Sequence, residues 1–172
     1  MELVDLYDEN RLPLGKTGER NAGRSPGEYR TVVHVCVFDH RGRLLIQQRT
    51  PEKFIWPNLW DLSVGGGVDA GETSRQGAER EFREELGYPL NLGGLRPSVT
   101  VNFDGGFDDF YLLTKDLPLE DLILQKEEVQ AVRWATLGEI LGMLRQGTFI
   151  PYPESFLQFL FDMREQFGFP TK

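Results

Sequence analysis

The chain has 172 residues, 40% hydrophobic and 12% aromatic, which suits one globular domain with a sizeable core and leaves no room for a second full one. Its 19 basic and 27 acidic residues give a formal net charge of −8. That balance excludes a broad electrostatic footprint for nucleic acid or an anionic membrane, so an anionic ligand needs local help from placed cations.

Residues Glu2 to Tyr7 read as a short strand, and Asp8-Glu9-Asn10 with Pro13 and Gly15 supplies turn chemistry before a second extended piece. An N-terminal hairpin laid against the main body is predicted. Segment Arg20 to Gly27, RNAGRSPG, reads as a polar connector, so residues 1–27 form the hairpin and connector and residues 28–172 the principal domain. Thr31 to Phe38 is a β-branched, apolar strand, which Asp39-His40-Arg41-Gly42 turns into Leu44 to Arg49; the two are expected to pair antiparallel. The lone Cys36 reads as a buried structural thiol and His34 as a satisfied core histidine.

Trp60 to Val64 is predicted as the strand that delivers the chain to a Gly65-Gly66-Gly67 turn. Ser98 to Phe103 and Asp109 to Thr114 read as strands around Asp104-Gly105-Gly106, and Val129 to Ala135 as another. Thr136-x-x-Glu139 caps a helix over Leu137 to Arg145. From Tyr152 to Phe167, the residues Phe156, Leu157, Leu160, Phe161 and Phe167 recur at helical spacing and are expected to face the sheet. Strands interleaved with helices that cover both faces predict an α/β/α sandwich around a mixed sheet. No apolar run approaches the roughly 18 residues that span a bilayer, and MELVDLYDEN lacks a basic-then-apolar leader pattern, so a cytoplasmic location is expected. The hairpin is a candidate contact element for a homodimer.

The stretch GGVDAGETSRQGAEREFREELGY, Gly66 to Tyr88, carries the chemistry. Thr73 with Gln76 three residues later is a capping-box signal and Gly87 a C-terminal stop, which predicts a helix over Ser74 to Leu86. At about 100° per residue, Glu81, Glu84 and Glu85 share one face beside an apolar stripe of Ala78, Phe82 and Leu86. Gly77 leaves room on the carboxylate side for a ligand or another backbone, and Arg80 stands four residues before Glu84, placed to orient it. Carboxylates so crowded repel unless something positive sits among them, and hard cations such as magnesium take carboxylate oxygens.

Gly66, five residues, Glu72, seven residues, then Arg80-Glu81-Phe82-Arg83-Glu84-Glu85-Leu86-Gly87-Tyr88 resembles the Nudix box, with aromatic Phe82 and Tyr88 at positions more often aliphatic. Val37 through Glu72 is similar to the corresponding part of isopentenyl-diphosphate isomerases and of uncharacterised bacterial Nudix proteins that resemble them, and the resemblance runs from about Glu28 to Arg145. It implies a Nudix-type α/β/α sandwich and a metal-dependent pyrophosphohydrolase that acts on a small-molecule diphosphate with Mg²⁺ or Mn²⁺. It also implies Glu81, Glu84 and Glu85 as metal ligands, with Glu84 and Glu85 foremost in direct contact, Glu72 contributing from behind them or through water, and Arg80 holding the carboxylates in place. The catalytic base stays open among Glu84, Glu127 and Glu128.

Around this core, Arg49 and Lys53 are the cations placed to meet phosphates, and Gly66 and Gly67 bring the backbone to the substrate. Asp108 and Asp109 either approach the metal or form an acidic strand start facing solvent; Trp56 either packs on a substrate group or closes the core. Isomerases carry Cys and His where this chain has Gly65 and Gly67, and glycine can neither donate nor accept the proton that alkene isomerisation moves. The intact acidic core therefore favours a hydrolase over an isomerase. A non-enzymatic Nudix-fold binder calls for a damaged box or an added DNA-binding domain, and the sequence has neither.

Overall fold

The structure, a computed structural model, describes residues 2–166. Strands β1 (Leu3–Tyr7) and β2 (Pro13–Glu19) form their own antiparallel two-stranded sheet, as the turn residues between them predict. Seven further strands make one mixed sheet: β3 (Arg30–Phe38), β4 (Leu44–Arg49), β5 (Trp60–Asp61), β6 (Val64–Gly67), β7 (Val99–Phe103), β8 (Gly106–Thr114) and β9 (Val129–Ala135). Strand β3 is its spine. It runs parallel to β8 from Arg30↔Gly106 to Phe38↔Thr114 and antiparallel to β6 from Val32↔Gly67 to Val35↔Val64.

Two expectations change here. Strands β3 and β4 pair only at Phe38↔Leu44, because β6 takes the rest of that β3 edge while β4 pairs with β9 and β5. The predicted strand Trp60 to Val64 is accordingly broken at Leu62-Ser63, where the chain crosses from β4 to β3. Ser63 closes the seam: its hydroxyl donates to the Leu45 carbonyl at 2.6 Å and accepts from the Val37 amide at 2.9 Å, replacing ladder hydrogen bonds that the crossing forfeits.

Helix α1 (Ser74–Leu86) has the bounds its signals predict: the Thr73–Gln76 capping box is reciprocal, and Gly87 caps it at φ +64°. Helix α2 (Leu137–Arg145) begins at a second reciprocal box, Thr136–Glu139. Helix α3 (Glu154–Met163) ends before Phe167, which lies outside the described residues. On one face of the sheet, α1 buries Ala78, Phe82 and Leu86 against Val33, Val35, Val37 and Leu45. On the other, α2 and α3 cover Cys36, Phe38, Leu44, Ile46 and Phe110. The protein is thus a three-layered α/β sandwich with an N-terminal hairpin. Cys36 is buried, which pushes its thiol up and away from reactivity.

The hairpin is tied to the main body by charge as well as by backbone. Arg11 Nη1 donates to Asp109 Oδ1 at 2.9 Å, and Nη2 reaches the other carboxylate oxygen, with Thr100 Oγ1 donating at 2.6 Å. Asp109 is wholly buried; burial pushes its carboxyl up, but Arg11 and its hydroxyl neighbours outweigh that and hold it below the usual range. Arg11→Met should therefore destabilise the fold by about 3–5 kcal/mol in urea unfolding, because it strands a buried charge. Adding Asp109→Asn should recover part of the loss.

Candidate functional site

The glycine strand β6 is the floor of the site, and each of its three glycines faces a different side chain. A Cβ on Gly65 would stand 2.7 Å from the His34 ring, one on Gly66 2.1 Å from the Glu81 carboxyl carbon, and one on Gly67 2.6 Å from Arg20 Nε. Gly66 and Gly67, expected to bring backbone to a substrate, instead make room for the chain's own Glu81 and Arg20. Gly77 works similarly at the helix: its missing side chain admits Val68, with Cγ2 3.1 Å and Cα 3.3 Å from where a Cβ would sit.

Two of the box glutamates are buried and one is not. Glu81 and Glu85 are 7% and 5% exposed, whereas the Glu84 side chain is 49% exposed at the solvent edge of the same face. Arg80 Nη1 lies 3.0 Å from Glu81 Oε1 and 3.1 Å from Glu84 Oε2, its Nε and Nη2 donate to the two oxygens of Glu72 at 2.9 Å each, and Nη2 donates to the Gly67 carbonyl at 2.8 Å. Burial opposes the charge on Arg80, but Glu72 and Glu81 outweigh it and hold its pKa above the ordinary value. The same pairing draws Glu72 below the usual carboxylate range against the upward push of burial. Gln47 Nε2 donates to Glu85 Oε2 at 3.0 Å.

The charge left in this pocket is strained. Burial raises Glu81, offset in part by Arg80 and Arg20. Glu85 is pushed well above the carboxylate range by burial first and then by repulsion from Glu81 and Glu128. Two buried acids that repel one another make a donor set that fits a hard divalent cation, whose arrival would relieve both burial and repulsion. The side chains themselves are turned onto protein partners: among the described residues no three His, Cys, Asp or Glu converge on one point. The expected gathering of Glu72, Glu81, Glu84 and Glu85 is thus replaced by Glu72 and Glu84 on Arg80, Glu81 between two arginines, and Glu85 on Gln47.

Beside the carboxylates lies a groove of about 610 Å³ lined by Asn21, Arg49, Glu52, Lys53, Phe54, Ile55, Glu127 and Glu128. It brings together both expected phosphate cations and two of the candidate bases. Arg49 donates to the Ile55 carbonyl from Nε and Nη2 at 3.2 and 3.0 Å and stands 3.8 Å from Asp61. Lys53 is paired with Glu128, while the exposed Glu127 offers its backbone carbonyl to Thr50. Trp56 does not close the core: it is 45% exposed, at φ +54°, in a loop whose neighbours Phe54 and Ile55 are more exposed still.

Asp108 and Asp109 do not join the α1 carboxylates, since each is engaged elsewhere, Asp109 by Arg11 and Asp108 by His34. His34 Nδ1 and Asp108 Oδ1 are 2.8 Å apart, the ring stacks on Phe110 at 4.8 Å, and Tyr152 donates to Asp61 Oδ1 at 3.0 Å close to His34 Nε2. The expected core histidine is therefore satisfied by an acid from the neighbouring strand. Arg20, an ordinary connector residue in the sequence, joins the site: its Nη2 donates to the Gly67 carbonyl at 3.1 Å, to Asp69 Oδ1 at 3.2 Å and to Glu81 Oε1 at 3.0 Å. A guanidinium in a connector carries no local signal, so only the fold reveals it.

Comparison with known proteins gives this arrangement a family. The NUDIX domain model matches residues 28–155. An uncharacterised Nudix hydrolase of Listeria monocytogenes is 48% identical over 164 residues, covering 95% of this chain and 96% of that one. An isopentenyl-diphosphate Delta-isomerase of Streptomyces coelicolor is 39% identical over 102 residues, covering 59% of this chain and 51% of that one. A crystal structure of a Deinococcus radiodurans protein superposes with a TM-score of 0.74 at 25% identity, covering 92% of this chain and 99% of that one. The chain belongs to the Nudix hydrolase family. That class comprises pyrophosphohydrolases of small-molecule diphosphates that generally need a divalent metal ion.

Burial lowers the pKa of His34 but Asp108 outweighs it, so the net shift is upward from 6.5. A raised folded value means that this pair's contribution is fully present below pH 6.5 and is lost as pH rises through the folded pKa. Asp108→Asn should accordingly reduce stability more at pH 6 than at pH 8.5 in thermal unfolding; equal losses at both would count against a charged His34.

Proposed function

We propose that the protein hydrolyses a diphosphate linkage in a nucleoside diphosphate derivative or a related organic pyrophosphate in the cytoplasm, with Mg²⁺ or Mn²⁺. The observation that carries this reading is the pair of buried, mutually repelling carboxylates, Glu81 seated against Gly66 and Glu85 within the electrostatic reach of Glu128 and Lys53, which line a groove together with Arg49. Glu81, Glu85 and the more exposed Glu84 are the residues that would hold the ion, with Glu72 acting through Arg80. When bound, a divalent ion neutralises phosphate oxygens and lowers the pKa of water.

The chain's own groups supply the rest. Arg80 keeps three glutamates and the Gly67 carbonyl in register, so the carboxylates arrive with their orientation already set. Arg49 is held by the Ile55 carbonyl with its guanidinium along the groove, and it and Lys53 meet the phosphates and orient them. Of the candidate bases, Glu128 is favoured to take the proton of the attacking water, because its charge is felt at Glu85 and it lines the groove. Binding phosphates would draw Lys53 away from Glu128 and free it for that task.

The isomerase reading has one observation in its favour, the partial identity with the Streptomyces enzyme. Against it, Gly65 offers no proton-transferring group, and the space beside it is filled by the His34 ring.

Incubation with nucleotide sugars, dinucleotides, nucleoside triphosphates and isopentenyl diphosphate should give Mg²⁺-dependent phosphate or monophosphate release from at least one, abolished by chelator and restored by Mn²⁺. Turnover undiminished in excess chelator, or protein-dependent formation of dimethylallyl diphosphate by NMR, would overturn the proposal. Glu85→Gln separates stability from activity. It should lower kcat by about 10²–10³, as loss of one electrostatic stabiliser does. It should also raise the melting temperature of metal-free protein at pH 7, because a neutral amide replaces a buried acid.

A further inference from the structure

We infer that Arg20 is a positioning residue for Glu81, supplied to the site by the N-terminal arm. Building on the reading of Glu81 as a metal ligand, this assigns the N-terminal arm a part in metal binding that acts through Glu81. Arg20 immediately follows β2, and it is anchored to the hairpin from both sides: its amide donates to the Glu2 carbonyl at 2.9 Å and its Nη1 pairs with Glu2 Oε2 at 2.8 Å. From there the side chain passes over Gly67 in a space that any Cβ would block.

Its Nη2 meets Glu81 Oε1 at 3.0 Å, the same oxygen that Arg80 Nη1 meets at 3.0 Å. Two guanidiniums on one oxygen fix where that oxygen lies and leave the second oxygen for the cation. Arg20 Nη2 also grips the Gly67 carbonyl and Asp69, so the glycine strand, the loop after it and the helix carboxylate are referenced to a single group. Its own Nε is buried without a hydrogen-bond partner, an unsatisfied donor that the Nη contacts must outweigh. Next in the chain, Asn21 lines the groove, which puts the arm at the border of the substrate space.

The test is Mn²⁺ binding to metal-free full-length protein, followed by EPR titration with no substrate present. Arg20→Ala should weaken binding about 10–100-fold, the usual effect of losing a group that orients a ligand. Arg20→Lys, which keeps the charge but cannot fork, should fall between. Asp5→Ala is the control, since Asp5 docks the hairpin elsewhere by accepting from the Gly71 amide at 2.8 Å, and it should leave Mn²⁺ affinity unchanged. Unchanged affinity in Arg20→Ala would make Arg20 a mere staple of the hairpin, tighter binding would make it a competitor of the metal, and an equal loss in Asp5→Ala would reduce the effect to docking; each overturns the inference. If Arg20→Ala does not fold, the Arg20→Lys comparison decides, with unchanged affinity overturning the proposal. Wild-type protein that binds no Mn²⁺ would instead overturn the assignment of Glu81 as a metal ligand.

Discussion

Everything around the site answers one electrostatic problem, how to keep two carboxylates of α1 beneath the sheet. A lone buried carboxylate costs several kcal/mol in desolvation, and a second beside it adds repulsion. Three devices meet that cost. Strand β6 withdraws its side chains, so that Gly66 gives the Glu81 carboxyl a seat; Arg80 and Arg20 bring guanidiniums from the helix and the arm; and Gln47 offers an amide to Glu85. The capping of α1, the register of β6 on β3 and the closing of the hairpin all serve to hold these groups where the acids lie.

Strand β6 also divides two polar systems that stand back to back. Gly65 faces His34, which joins Asp108 and approaches the Tyr152–Asp61 pair on the side covered by α2 and α3. Gly66 faces Glu81 on the side covered by α1. In one, acid meets histidine and hydroxyl; in the other, acid meets guanidinium and amide, with Glu85 left repelled by Glu81. Asp61 links this arrangement to the groove through Arg49, which stands 3.8 Å from its carboxylate.

Legibility in the sequence followed the range of the interaction. The bounds of α1 and α2 could be read because a capping box and a left-handed glycine are local devices, decided within a turn of the chain. Strand β9 was equally plain from its composition. The split at Leu62-Ser63 was not, because it arises from competition between β6 and β4 for one edge of β3. Within the site, the box glutamates and Arg80 were legible from spacing, while the burial that separates Glu85 from Glu84 depends on what packs above the helix. Arg20 and Asp109 could not be placed for that reason, since their partners come from other parts of the chain, and the exposure that removes Trp56 from the core is likewise set by the fold.

The parallel ladder between β3 and β8 joins the first third of the chain to the last half. Such a pairing has no local precursor, and loop-closure entropy must be met before it yields any stability. During synthesis, β3 can take β6 and α1 as soon as they emerge, but its other edge stays bare until Thr114 has left the ribosome, and β4 lacks its β9 partner until Ala135 has done so. The acidic helix is therefore in place before the sheet that supports it is complete, and the nascent chain passes through a stage with open strand edges at its centre. The time those edges stay open is the time taken to make the second half of the sequence, a constraint that comes from the topology of the sheet.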